Sequence, residues 1–87
     1  MMDARRKRLL FRSQRRSSRE ADILLGGFAA RHLEALDARE LDRFEALVER
    51  EDADLVDWIT GRRTPPPDLD DDLMRKLIRH GNGQADR

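Results

Sequence analysis

Apolar residues recur at helical spacing along nearly all of this 87-residue chain. No segment alternates apolar with polar residues as a half-buried strand does, and β-branched residues are scarce. Each periodic segment also ends in a stop signal. A chain patterned this way can bury its apolar faces only helix against helix. The expected fold is therefore all-α: a small five-helix bundle, one domain over residues 1–87. Its parts are a basic leader with helix one over 4–15, a core over 18–80 and a frayed tail over 81–87.

The first helix should place Leu9, Leu10, Arg6 and Ser13 on its inner side. The second, from about Ser18 to Leu36, carries a stripe of Ile23, Leu24, Phe28, Ala29, His32, Leu33 and Leu36. Gly26-Gly27 interrupts it at about 2 kcal/mol of helix propensity relative to alanine, a pair suited to close packing or a kink. The third begins most clearly. Asp37 and Glu40 form an acidic capping box, and Leu36 and Leu41 stand at the two positions of a hydrophobic staple. Its inner face is Leu41, Phe44, Leu47 and Val48.

The fourth helix starts with Asp52 as its cap, buries Leu55, Val56, Trp58 and Ile59, and ends at Gly61 in a left-handed conformation. Thr64-Pro65-Pro66-Pro67 should be an extended connector. Asp68 then caps the fifth helix, with Leu69, Leu73, Met74, Leu77 and Ile78 inward. Asp70, Asp71 and Asp72 suit its positive end, and Lys76, Arg79 and His80 its negative end.

Composition narrows the function. A domain this small buries only about 60–65% of the surface its unfolded chain exposes. Without cysteine, disulfides and thiolate zinc sites are excluded. No apolar run approaches the roughly 18 residues that cross a bilayer, so membrane insertion is not expected. The formal charge of zero hides a split. Residues 1–19 hold eight basic side chains and one acid, while residues 20–87 hold ten and seventeen. The stretch 5–13 has the basic, amphipathic character of a mitochondrial transit peptide. Asp3 lies beside it, however, and its removal would truncate the domain. The favoured reading is a mature bacterial N-terminus and a cytoplasmic protein, with the mitochondrial matrix as the lesser alternative.

Catalytic machinery is not visible. Asp68, Asp70, Asp71 and Asp72 lack the alternating ligands and central glycine of a calcium loop and read as helix-start acids, so no metal site is expected. Glu49 to Asp54 reads as a helix end, a turn and a cap. His32 and His80 have no third partner in sequence, and His32 reads as a half-buried helix residue. No serine stands near both a histidine and an acid, and no glycine-rich phosphate loop is present. The basic leader could bind nucleic acid with strong salt dependence, but only Phe11 is available to stack a base. An acidic protein partner fits that leader equally well.

The remaining feature is Arg15-Arg16-Ser17-Ser18-Arg19-Glu20. Ser17 or Ser18 can cap the second helix, and Ser17-x-x-Glu20 is a capping box. Three arginines at a helix N-terminus oppose its dipole, however, and no cap needs them. They suit a surface that grips carboxylates or phosphates. Cap and contact site are both open readings.

These residues resemble a known pattern. Arg15-Arg16-Ser17-Ser18-Arg19-Glu20-Ala21-Asp22 resembles the Arg-Arg-Gly-x-x-Glu-x-Asp motif of the succinate dehydrogenase assembly factor 2 family, whose bacterial members are called SdhE. Asp52-Ala53-Asp54-Leu55-Val56-Asp57-Trp58 is similar to the family's second motif, and Arg8-Leu9-Leu10-Phe11-Arg12-Ser13 to its lead-in. The resemblance covers about residues 5–80. It implies a five-helix FAD assembly factor, not an enzyme. Such a protein binds the flavoprotein subunit of succinate dehydrogenase, and in bacteria fumarate reductase, and promotes covalent attachment of FAD to a histidine of that subunit.

Carried onto this chain, the resemblance implies that Arg16 and Glu20 contact the flavoprotein, supported by Arg15, Ser17 and Asp22. Arg8, Arg12 and Arg19 would be secondary contacts. Without a nucleotide-binding pattern, the free protein should hold no FAD tightly and should act on the FAD of its partner. So charged a surface suits a monomer. One position departs from the motif: Ser17 replaces a glycine, which would matter if the partner's backbone packed there and little if residue 17 were only a cap. The competing reading is a regulatory binding module whose basic N-terminal helix engages nucleic acid or another acidic partner.

Overall fold

A computed structural model of the chain describes residues 2–82. Five helices, with no strand among the described residues, pack around one core. Helix α1 is Ala4–Ser13, and α2 is a continuous helical run over 19–35. Helices α3, α4 and α5 are Ala38–Val48, Asp52–Thr60 and Asp72–Gly81. The core includes Leu9, Leu25, Phe28, Leu33, Phe44, Leu55, Ile59, Leu73, Met74 and Leu77, all at most 2% exposed.

Helix α1 is capped by Asp3, whose carboxylate accepts from the Arg6 backbone N–H at 2.8 Å. It ends at Ser13, two residues short of the expected Arg15. Buried Ser13 donates its hydroxyl to the Leu9 carbonyl at 2.7 Å. Arg6 lies on the inner side, with Nε and Nη2 donating to the Leu33 and Leu36 carbonyls at the end of α2. A cation there meets the negative end of the helix and satisfies orphan acceptors.

Helix α2 opens into a wider π turn over Asp22–Gly26 and closes with a 3-10 turn at Leu33–Ala35. Its buried face is Ala21, Leu25, Phe28, Ala29 and Leu33. Ile23, expected inside, is 61% exposed. It stands two residues from both Ala21 and Leu25, hence about 200° around the helix from each. Gly26 serves close packing. A Cβ there would lie 3.0 Å from the Ser13 carbonyl oxygen, while one on Gly27 would lie 3.3 Å from His80 Nε2. His32 is half-buried, as expected. Its ring and that of His80 meet edge to face at 5.9 Å, and both flank Phe28.

The capping box at α3 forms in both directions: Glu40 N–H donates to Asp37, and Asp37 N–H to Glu40. Leu36 and Leu41 are both buried, and the expected inner face of α3 is the observed one. Gly61 ends α4 with φ +82°. Trp58 is 4% exposed, with the guanidinium carbons of Arg50 and Arg63 about 6 Å from its ring.

Two cap assignments are corrected. Asp52 is not a cap but the first residue of α4, after Glu51; its carboxylate turns to another segment. Asp68 does not cap α5, because Pro67–Leu69 forms a 3-10 turn that buries Leu69. Asp71 is the cap, accepting from Met74 N–H at 2.9 Å. The extended connector thus stops at Pro66. The frayed tail expected over 81–87 lies outside the described residues from 83 onward, and Gly81 is still the last residue of α5.

Candidate partner-binding site

After Ser13 the chain leaves α1 through a short loop, residues 14–18, and enters α2 at Ser18. Ser18 is the residue that caps: its hydroxyl oxygen accepts from Ala21 N–H at 3.1 Å. The alternative box between Ser17 and Glu20 does not form, because the Ser17 hydroxyl is directed across the molecule to α4. Ser17 has an ordinary negative φ, since no residue other than glycine has a positive one among the described residues. This chain therefore places no left-handed demand on the position where the motif has glycine.

Three consecutive backbone N–H groups of the loop are satisfied by carboxylates. That of Arg16 donates to Asp22 of α2. Those of Ser17 and Ser18 donate to Asp52 Oδ2 at 2.6 and 3.2 Å. The Ser17 hydroxyl donates to the same oxygen at 2.6 Å. Asp52 Oδ1 accepts from Arg16 Nε at 2.7 Å. Burial pushes the Asp52 carboxyl up, but the hydrogen bonds from the Ser17 hydroxyl, from Arg16 and from the Ser17 backbone outweigh it together. They hold it below the ordinary carboxylate range.

All three nitrogens of the Arg16 guanidinium donate within the chain. Besides Asp52 it reaches the Val48 carbonyl through Nη1 at 2.7 Å and the Arg50 carbonyl through Nη2 at 2.9 Å. Its side chain is 11% exposed and that of Asp52 is 9%. Far from opposing the dipole of α2, this arginine completes the carbonyl end of α3 and ties it to the start of α4. The rigid five-donor fork of arginine suits three acceptors at once.

What remains outside is different. Arg15 is exposed and lies over the Phe11 ring at 4.2 Å; Arg19 and Glu20 are exposed at the first turn of α2. A shallow cleft of about 280 Å³ opens beside Arg15, Arg50 and Glu51. Another of about 430 Å³ opens beside Ser18, Glu20, Val56 and Asp57. The Ser17–Asp52 joint lines both.

Among the residues singled out in the sequence, the structure thus gathers Arg15, Arg16, Ser17, Arg19, Glu20 and Asp22 in one loop and helix start. Arg16, Ser17 and Asp22 hold that loop, and Arg15, Arg19 and Glu20 are displayed by it. Arg8 is exposed on α1, and Arg12 pairs with Glu49 at 2.5 Å. The residue that sequence reasoning missed is Asp52. An arginine and an aspartate standing in the two motifs was its only signal. Among the described residues no group of three or more His, Asp or Glu side chains could hold a metal ion.

Comparison with known proteins identifies a family for the chain. The family described as flavinator of succinate dehydrogenase matches residues 7–81. The FAD assembly factor SdhE of Acetobacter pasteurianus is 37% identical over 75 residues, covering 86% of this chain and 69% of that protein. The mitochondrial succinate dehydrogenase assembly factor 2 of Candida glabrata is 36% identical over 80 residues, 87% of this chain and 52% of its own length. Assembly factor 2-A of Drosophila mojavensis is 35% identical over 81 residues, 91% and 52% of the two chains. The chain therefore spans about half the length of these mitochondrial relatives. With most of its residues matched, the chain belongs to the flavinator of succinate dehydrogenase family.

Proposed function

We propose that this protein is an assembly factor that binds the flavoprotein subunit of succinate dehydrogenase and promotes covalent attachment of FAD to it. The observation that carries the reading is the family match over residues 7–81, joined to a charged loop held in one conformation. Arg15, Arg19 and Glu20 face outward from that loop and would pair with complementary charges on the flavoprotein. Holding the subunit with FAD and its target side chain in register raises their effective concentration. The bond itself forms in the flavoprotein, and the factor is not the catalyst.

The FAD belongs to the partner, and the free factor binds none tightly. The protein acts as a monomer in the bacterial cytoplasm, and fumarate reductase is a second client. No described helix is long and apolar enough to cross a membrane. The competing nucleic-acid reading loses ground because Arg5, Arg6, Arg12 and Arg16 of the basic leader bond within the chain.

The test is co-expression with the flavoprotein subunit in a host lacking its own factor, followed by a denaturing gel read by flavin fluorescence. A bright subunit band with the native chain is expected. A much weaker one is expected with Glu20→Ala, whose helicity should be unchanged. Equal darkness with and without the factor would overturn the assignment.

A further inference from the structure

We infer that Asp52 is a positioning residue for flavinylation, and that Arg16 acts through Asp52 and the helix-end carbonyls rather than at the partner. The inference rests on the function proposed above and adds to it a residue lying 30 positions or more from the loop it controls. Asp52 Oδ2 holds the N–H groups of residues 17 and 18, and Oδ1 holds Arg16. The loop has no ladder or helix of its own to fix these groups. Gln14 and Arg15 still bond to carbonyls of α1, but the N–H groups of residues 16–18 are held by two side chains, Asp52 of α4 and Asp22 of α2. Arg15 and Arg19 flank the clamped residues 16–18 directly, and Glu20 follows one residue later. Fixing the backbone before the partner arrives reduces the ordering cost of association.

Arg16 matches this role and not that of a contact. Its guanidinium has three internal acceptors and little exposed surface. It lines the cleft beside Arg15 and Arg50, but each of its three nitrogens already donates to an acceptor that closes the α3–α4 junction. The flavoprotein surface that fits the display must instead offer carboxylates to Arg15 and Arg19 and a cation to Glu20.

Asp52→Asn decides the matter. The amide has nearly the same shape but only one acceptor oxygen, so either Arg16 or the pair of loop N–H groups must be left facing an NH₂. Two readouts are taken: covalent flavin in the co-expressed subunit, and hydrogen exchange at amides 16–18 of the purified factor. The expected result is at least a tenfold loss of flavinylation rate and tenfold faster exchange at 17 and 18, with α3 core amides unchanged. Asp37→Ala, a cap substitution at the start of α3, is the control for general destabilisation and should keep full flavinylation at a similar fall in Tm.

Normal flavinylation with Asp52→Asn would overturn the inference, as would an equal loss with Asp37→Ala. If Asp52→Asn does not fold, Arg16→Gln replaces it. Loss of flavin with faster exchange at 17 and 18 then supports the inference. Loss with exchange still slow overturns it, because Arg16 would then act at the partner. A dark band with the native chain overturns the function itself and this role with it. It is told apart because only there is the native factor inactive.

Discussion

Replacing Ser17 by alanine and by glycine separates two contributions that the structure places at one residue. The Ser17 hydroxyl donates to an ionised, largely buried carboxylate at 2.6 Å. A hydrogen bond to a charged group contributes about 1.5–3 kcal/mol net. Ser17 itself is exposed, so the low end applies. Asp52 keeps its bonds from Arg16 and from two backbone N–H groups in either variant. Ser17→Ala should therefore cost about 1.5 kcal/mol, the lower end for charge-assisted bonds.

Ser17→Gly should cost about 0.5–1 kcal/mol more, because residue 17 adopts a backbone open to any residue and glycine only enlarges the freedom of the unfolded chain. In a domain of this size each kcal/mol moves Tm by about 4–8 °C. The order expected in far-UV circular-dichroism melts and urea titrations is serine, then alanine, then glycine. Both variants should still support flavinylation, since the loop N–H bonds to Asp52 do not depend on the side chain. An alanine variant melting within about 2 °C of the native chain would refute the hydroxyl's share. A glycine variant more stable than the alanine one would show that the position needs glycine's conformations after all.

Gly26→Ala should destabilise by about 1–2 kcal/mol in urea titration despite a better helix propensity, because its methyl group meets the Ser13 carbonyl oxygen, a backbone atom fixed at the end of α1. Gly27→Ala meets only the His80 ring, a side chain that needs to give by a few tenths of an ångström, and should be neutral or stabilising by up to about 1 kcal/mol in the same titration. Gly61→Ala has open space for its methyl group but must hold φ at +82°, and should lose about 1–2 kcal/mol by thermal melt. For pH, the Asp52 carboxyl is lower in the folded than in the unfolded chain. Its contribution is complete above the unfolded value of about 4 and is lost as pH falls through the folded one. The stability gap between the native chain and Asp52→Asn should thus be full at pH 6 and shrink below about pH 4 in urea midpoints.

The features legible in the sequence are those whose causes lie within one or two turns. Asp37 and Glu40 cap each other three residues apart, so the start of α3 could be read directly. Gly61 could be placed because Trp58 and Ile59 had to be buried just before it. Asp68 was misplaced because four aspartates within five residues are each able to cap. The choice among them is made by the burial of Leu69 in a turn after the prolines and of Leu73, Met74 and Leu77 in the helix. Ile23 was misplaced because its apolar character was counted without its angle to Leu25. Asp52 stood further from reach, since its hydrogen-bond partners lie 34–36 residues away. Only the packing of α2 against α4 brings them together.

The same distance effect reverses the meaning of the charge split. A basic leader beside an acidic remainder suggests a surface prepared for an acidic partner. Much of that complementarity is consumed inside the molecule. Arg5 of α1 binds Asp42 and Glu45 of α3, and Arg12 binds Glu49 just beyond it. Arg6 and Arg16 bind helix-end carbonyls. The exposed pairs each contribute at most about 1 kcal/mol, so they set how α1 lies along α3 more than how tightly it is held. The orientation of α1 places its end where the loop can reach Asp52, and leaves Arg15 and Arg19, two of the basic side chains adjoining that loop, exposed.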